Sequence, residues 1–226
     1  MIEIDKNIPG WSSEETTYSL GWLANKVPPG GRIVEIGVLW GRISKALLAN
    51  KQRGTKVICI DPCIDIQYMF PFGGQTRVQN PSWVNSYCED NSNRVSLYEI
   101  LSRSNCLDDV EVLQKSSRDV VIDYPVDLAV IDGSHVNGDP LLDLEMFVEQ
   151  KNCLIAMDDV FLNYPDLDEA MKLAHTKFGR SIFIPPRHHW MFILPLDGPM
   201  LPVMYQFMQV VSQQNENDSI SMLRNA

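Results

Sequence analysis

The chain has 226 residues, a net charge of −10 and a pI of about 4.8. An acidic protein is repelled by a nucleic-acid backbone and by an anionic membrane, so neither is expected as the main partner. Hydrophobic residues make up 45% and charged residues 21%, ordinary values for a soluble globular chain long enough to bury one full α/β core.

The cysteines are Cys59, Cys63, Cys88, Cys106 and Cys153, an odd count with no CxxC pair, which fits a disulfide framework poorly. Cys59 and Cys153 lie inside apolar runs and read as small buried hydrophobes. The N-terminus carries no apolar signal core and no run reaches membrane-spanning length, so a reducing, cytoplasmic location is expected.

Residues 1–11 read as an irregular arm. Ser12-Ser13-Glu14-Glu15 supplies a hydroxyl cap and first-turn acids for a helix to about Lys26, with Tyr18, Leu20, Trp22 and Leu23 among its buried positions. Pro28-Pro29-Gly30-Gly31 breaks it. Residues 32–37 then form an apolar, β-branched strand of the kind buried on both faces. A glycine-punctuated turn, Gly37 to Gly41, leads into a helix over about 41–51. KVICID at 56–61 is a second strand, stopped by Pro62.

Residues 64–90 show no clear period and are rich in aromatics and turn formers. They are either a surface insertion packed by its own aromatics or a lid over a substrate pocket. A helix over about 91–105 follows, then a strand at 110–114, a cap or turn at Ser116-Ser117-Arg118-Asp119 and a strongly apolar strand at 126–132. Asp139-Pro140 starts a helix, with proline in the favoured first turn. CLIAMDD at 153–159 is a strand ending in two acids, and a helix over about 166–178 comes next. RSIFIP (180–185) and HWMFIL (189–194) make a plausible antiparallel hairpin across Pro185-Pro186-Arg187-His188. The tail from Gly198 holds an apolar stretch, Leu201–Val211, and ends in the polar run QQNENDS. No linker or repeat divides the chain, so residues 1–226 are expected to form one domain. The order predicts an α/β architecture, a doubly wound, mainly parallel seven-stranded sheet with an antiparallel C-terminal edge hairpin.

Ligands of such a sheet bind beyond the carboxyl ends of its strands. The strands end in Glu35-Ile36-Gly37, Asp61, Ser116-Ser117, Asp132 and Asp158-Asp159. Four acidic ends and one hydroxyl pair on one rim repel each other unless a cation or hydrogen-bond donors sit among them. Asp61 follows Gly37 by about two dozen residues, the position of the acid that holds an adenosine ribose; a strand-end acid capping a loop is the plainer alternative. GxGxxG is absent, which weakens an NAD reading, and GxxxxGK[ST] is absent, which argues against a P-loop.

On these segments the chain resembles the class I S-adenosylmethionine-dependent methyltransferases. More narrowly, it is similar to the metal-dependent macrocin-type O-methyltransferases. PPGGRIVEIGVLWGRISKALL, KVICIDPC, VEVLQKSS, VDLAVIDGSHVNGDPLLDLEMF and CLIAMDDV carry the likeness in order, over roughly residues 12–195. The resemblance implies a Rossmann-like methyltransferase fold and S-adenosylmethionine as cofactor. Glu35 and Gly37 would line its methionine part, with Gly41 and Asp132 also at the cofactor, Asp61 on the ribose and Ser117 beside the adenine. It also implies a divalent cation, magnesium first, on Asp132, Asp158 and Asp159. His135 would be the base, with Asp132 beside it in the catalytic group. Ser134 stands where some relatives carry an acidic base, Val136-Asn137 replaces a common aromatic, and residues 64–90 match nothing in the family.

The expected reaction is methyl transfer to a hydroxyl of a small molecule or sugar-bearing acceptor. His135 is alternatively a loop histidine fixing the 132–140 turn, and Asp159 a loop cap with no metal bound. His188 and His189 lie in the hairpin turn, within reach of the pocket or simply solvated, and His175 reads as a helix-surface residue. The rival functions are a non-methylating, cofactor-binding partner protein and an NAD-binding protein.

Overall fold

The computed structural model describes residues 2–5, 8, 12–39, 41–62, 109–135, 137–159, 165–185 and 189–212. The candidate lid at 64–90, the helix expected over 91–105, His188 and the polar run at the C-terminus lie outside these residues. The elements are α1 (Glu14–Lys26), β1 (Arg32–Ile36), α2 (Arg42–Asn50), β2 (Lys56–Ile60), β3 (Val110–Leu113), a 3-10 turn (Ser117–Asp119), β4 (Leu128–Ile131), α3 (Asp139–Val148), β5 (Leu154–Met157), α4 (Pro165–Thr176), β6 (Ile182–Phe183), β7 (Met191–Ile193) and α5 (Met200–Ser212). The seven strands form one sheet in the order β3-β2-β1-β4-β5-β7-β6.

β1 pairs in parallel with β2 and β4, β2 with β3 and β4 with β5. β7 runs antiparallel to both β5 and β6, with Met157 opposite Met191. The expected mixed sheet with its antiparallel closing hairpin is therefore present, and β7 is wedged between β5 and β6. The parallel strands stop one or two residues short of their expected ends. Asp132 and Asp158 therefore lie just past the last paired residues, on the rim.

Two apolar clusters flank the sheet. On one face α1 and α2 bury Trp22, Leu23, Ile43 and Leu47 against Ile33, Val57 and Leu128. On the other, α3 and α4 bury Leu144, Phe147, Leu167 and Ala170 against Val34, Ala129 and Ile155. The chain thus leaves β1 toward one face and β4 toward the other, which opens a crevice between their carboxyl ends.

The tail differs from its reading as an apolar stretch: Met200–Ser212 is a helix. Met200, Met204, Phe207 and Val211 are buried at helical spacing, and Phe207 packs 5.9 Å from Trp22 and 5.1 Å from Phe192 between ring centroids. Pro202 falls in the first turn, where no backbone donor is needed.

Arg180 fastens the far side of the sheet. It is fully buried, and its guanidinium donates to the carbonyls of Val148, Gln150, Cys153 and Leu194. At the N-terminus, Asn50 accepts from the Glu3 amide at 2.7 Å and donates to the Glu3 carbonyl, so the arm is clasped to α2. Cys59 and Cys153 are free and buried, as expected. Among the described residues no helix is long and apolar enough to cross a membrane.

Candidate functional site

The site grows from the turn after β1. Gly37 has φ +83°, and a Cβ built there falls on the Asp132 carbonyl and 2.7 Å from the Gly133 Cα. Only glycine lets the end of β1 lie this close to the end of β4. The Gly37 amide donates to Ile60 at 3.0 Å, and the Asp132 amide donates to Ile36 at 2.8 Å, so the turn is tied to both flanking strands. Gly41, φ +80°, starts α2 without a side-chain cap. The first amides of that helix are the groups that serve an anionic ligand.

Asp61 is 7% exposed and holds this turn. Its Oδ2 accepts from the amides of Val38 at 2.7 Å and Leu39 at 3.0 Å, and Leu39 is itself in the left-handed region at φ +52°. The loop-capping alternative is thus realised in the structure, and it is compatible with a ribose role because a carboxylate has about four lone-pair sites.

Glu35 lies beneath the turn, fully buried, with Cys59 opposite it on β2. The Cys59 thiol donates to Oε2 at 3.6 Å, while Oε1 has no hydrogen-bond partner. Burial pushes the Glu35 carboxyl up to about 8; the nearby Ser44 hydroxyl and Cys59 thiol only partly offset this. Glu35 is then largely protonated at neutral pH, a polar group waiting under the crevice. Ser44 went unremarked in the sequence, and Cys59 read there only as a small buried hydrophobe. The strand register that brings Cys59 to Glu35 is what a sequence alone does not display.

Across the crevice the carboxyls of Asp132 and Asp158 lie side by side, just past the paired ends of β4 and β5. Burial and then the charge of Asp158 hold Asp132 well above the ordinary range, and burial and then the charge of Asp159 push Asp158 up to about 6. Asp158 Oδ1 is buried without a partner. Asp159 turns aside: its backbone takes φ +60° and its Oδ2 lies 3.2 Å from His135 Nε2. The three acids expected to converge are therefore a pair plus a neighbour committed to His135. Among the described residues no three metal-ligating side chains form a ready cluster. His189 is exposed and stands two residues before Met191, at the same rim; His175 is exposed in the last turn of α4.

Ser117 opens the 3-10 turn beyond β3. Arg118 fastens this turn to α3 through Asp139 at 2.6 Å and the Asn137 carbonyl at 2.7 Å. Below it Asp143 is 2% exposed, and its Oδ1 has no partner. Burial pushes Asp143 up to about 6, and the nearby Ser117 side chain only partly offsets this. Asp143 was missed in the sequence. Its signal was there: it occupies the buried stripe of α3 with Pro140, Leu144 and Phe147, where every other position is apolar.

A doubly wound sheet whose switch point carries a glycine turn, a capped acid and a carboxylate rim defines a class of nucleotide-cofactor-binding α/β proteins. The family model described as a methyltransferase domain matches residues 34–160, more than half of the chain, and the chain belongs to that family. No curated protein matches the sequence. Among solved structures, a cofactor-bound protein from MTB is similar at 12% identity over 87% of this chain and 85% of that one, TM-score 0.55. An O-methyltransferase from Bacillus cereus in complex with SAH is similar at 16% identity over 83% and 84%, TM-score 0.52. A methyltransferase from Geobacter sulfurreducens is similar at 15% over 80% and 78%, TM-score 0.53. At such identities these neighbours share the fold.

Proposed function

We propose that the protein is an S-adenosylmethionine-dependent O-methyltransferase acting on a hydroxyl of a small molecule or sugar-bearing acceptor. One observation carries the reading: at Gly37 the ends of β1 and β4 meet with no room for a side chain, and Glu35, two residues earlier on β1, holds a buried carboxyl oxygen with no partner. Such a crevice admits a ligand against bare backbone and offers its polar end a buried acceptor or donor. The family membership and the SAH held by the Bacillus cereus neighbour favour this cofactor over NAD.

The residues present fit the group. Glu35, Gly37 and Gly41 would hold its amino-acid end, Asp61 its ribose, Ser117 its adenine, and Asp132 would flank it. When bound, the cofactor supplies an electrophilic methyl group. His135 is the base that takes the acceptor's hydroxyl proton, its ring oriented by Asp159 at Nε2. The rest of the rim contributes by positioning, which for a displacement reaction is the larger share.

The donor set also suits a hard divalent cation, magnesium first, because all three rim acids offer oxygen and Asp158 Oδ1 lacks a partner. Asp132, Asp158 and Asp159 would hold it. Bound there, it would supply a Lewis-acid site for the acceptor oxygen.

Calorimetry with SAH and NAD tests the cofactor, followed by methyl transfer to hydroxyl acceptors. Binding of SAH near micromolar strength, about −8 kcal/mol, is expected. NAD binding without SAH binding overturns the reading, and SAH binding without transfer to any hydroxyl acceptor favours the non-methylating partner.

A further inference from the structure

Asn-Gly occurs once in the sequence, at Asn137-Gly138, in the loop that leads from His135 into α3. Both residues have positive φ, +61° and +76°, the signs of a type I′ turn, which this dipeptide adopts with little strain. Asn137 is exposed, and a Cβ built on Gly138 meets no atom within 4 Å. Nothing on the glycine therefore shields its nitrogen from the Asn137 side chain. One peptide joins the two residues, and side chains of opposite charge hold both of its ends. Arg118, from the turn beyond β3, donates to the Asn137 carbonyl at 2.7 Å. Asp166, in the first turn of α4, accepts from the Gly138 amide at 2.9 Å. The carbonyl, the negative end of the peptide dipole, thus faces the cation, and the N–H, its positive end, faces the anion. Arg118 also donates to the Asp139 carboxylate at 2.6 Å, which fixes the next residue of the turn.

We propose that Asn137 is a site of spontaneous deamidation and that Arg118 and Asp166 hold it shut. In the reaction the Gly138 nitrogen gives up its proton to hydroxide and attacks Asn137 Cγ. An N–Cγ bond forms, the bond from Cγ to the side-chain nitrogen breaks, and that nitrogen takes up a proton and leaves as ammonia. Water then opens the cyclic imide at either carbonyl, giving aspartate or isoaspartate, so water is the only co-reactant consumed. The clamp opposes the first step in two ways. The peptide must rotate to bring its nitrogen onto Cγ, which breaks the hydrogen bonds at both ends. The Asp166 carboxylate also disfavours the negative charge that loss of the amide proton would create beside it. Once formed, isoaspartate lengthens the main chain by one carbon, and either product adds a negative charge next to Asp139, two residues from His135.

The test follows Asn137 by peptide mass spectrometry in the full chain, kept folded or unfolded in urea at the same mildly alkaline pH. Deamidation adds one mass unit to the peptide, and fragmentation separates aspartate from isoaspartate. The folded chain is expected to react about tenfold or more slowly than the unfolded chain, the factor that one hydrogen bond to a charged group supplies. Asp166→Ala is expected to recover most of that difference while hydrogen exchange in β4 and β5 stays unchanged, so the gain reports the opened clamp and not unfolding. Asp166→Asn keeps an oxygen for the Gly138 amide without the charge. It is expected to fall between the two, and it keeps the idea testable if Asp166→Ala does not fold. Equal rates in the folded and unfolded chains overturn the proposal, as does a folded rate that neither Asp166 variant changes. Aspartate without isoaspartate overturns the cyclisation. A faster reaction in Asp166→Ala matched by faster exchange throughout the sheet reports unfolding and overturns the clamp.

Discussion

Asp61 accepts the amide of Val38 at 2.7 Å, which binds the end of β2 to the turn leaving β1. The same oxygen accepts from Leu39, whose backbone is held in the left-handed region. One buried carboxylate thus shapes the wall of the crevice, and the same residue is the proposed ribose ligand.

Asp61→Ala removes two charge-assisted bonds from the turn and one acceptor from the proposed ribose site. Each such bond contributes roughly 1.5–3 kcal/mol. We expect SAH affinity to fall more than tenfold and thermal stability to fall with it. Asp61→Asn keeps one acceptor for the turn and should recover part of the stability but less of the affinity. Unchanged calorimetric affinity in Asp61→Ala would remove this residue from the cofactor site.

Gly37→Ala should be far more damaging than Gly54→Ala, although both glycines have a positive φ near 80°. At Gly54 the nearest atom to an added Cβ is 3.7 Å away, so only the backbone strain of about 1–2 kcal/mol applies. At Gly37 the added carbon lands on the Asp132 carbonyl, and β1 and β4 must part, adding an overpacking cost of roughly 1–3 kcal/mol. Denaturant titration of the two variants measures the difference. Equal losses would mean that the close approach of the two strands is not what demands glycine.

The sheet was legible because its interior strands are continuous apolar runs, and the rim was legible because a parallel sheet gathers its strand ends on one side. Glu35, Asp61, Asp132 and Asp158 could be placed on that basis without any contact being known. What the rim acids do to each other was not legible: that Asp132 pairs with Asp158 while Asp159 turns to His135 depends on a left-handed residue at Asp159. Helix α5 was hidden because Leu201, Val203 and Val210 fill the gaps between its buried positions and blur the period. Arg180 had no local signal, since the four carbonyls that converge on it come from segments far apart in the chain.

Glu35 makes stability depend on pH in a defined direction. Its folded carboxyl is raised from 4.5 to about 8, so between those values the unfolded chain has released a proton that the folded chain still holds. Stability therefore falls as pH rises through that window, by up to about 1.4 kcal/mol per unit, and the loss is complete above the folded value. Glu35→Gln cannot ionise, so its stability relative to the unaltered protein should improve steadily from pH 5 to pH 8. Other raised acids, Asp143 among them, act in both proteins and largely cancel in this comparison. Urea titrations at four pH values, without cofactor, measure it; parallel curves would show that Glu35 ionises as readily folded as unfolded.

The metal proposal is tested where three acids crowd one rim. Burial and neighbouring carboxylates raise Asp132 and Asp158 above the ordinary range, which favours a proton over a second negative charge on the pair when no cation is bound. A divalent cation would displace that proton and bring Asp159 into the set, so binding should release protons and grow tighter as pH rises from 5 to 8. Excess chelator is expected to abolish methyl transfer and magnesium or manganese to restore it, with SAH affinity unchanged throughout. Asp158→Asn removes one ligand charge while leaving the turn at Gly37 and Asp61 intact. It should lose the magnesium-dependent rise in melting temperature and most of the activity while keeping SAH binding within about threefold, a difference near 0.6 kcal/mol. The alternative is that Asp159 serves only to orient His135 through the 3.2 Å contact at Nε2. Full activity in chelator, together with loss of activity in His135→Ala, would establish that alternative and leave His135 working as the base without a metal.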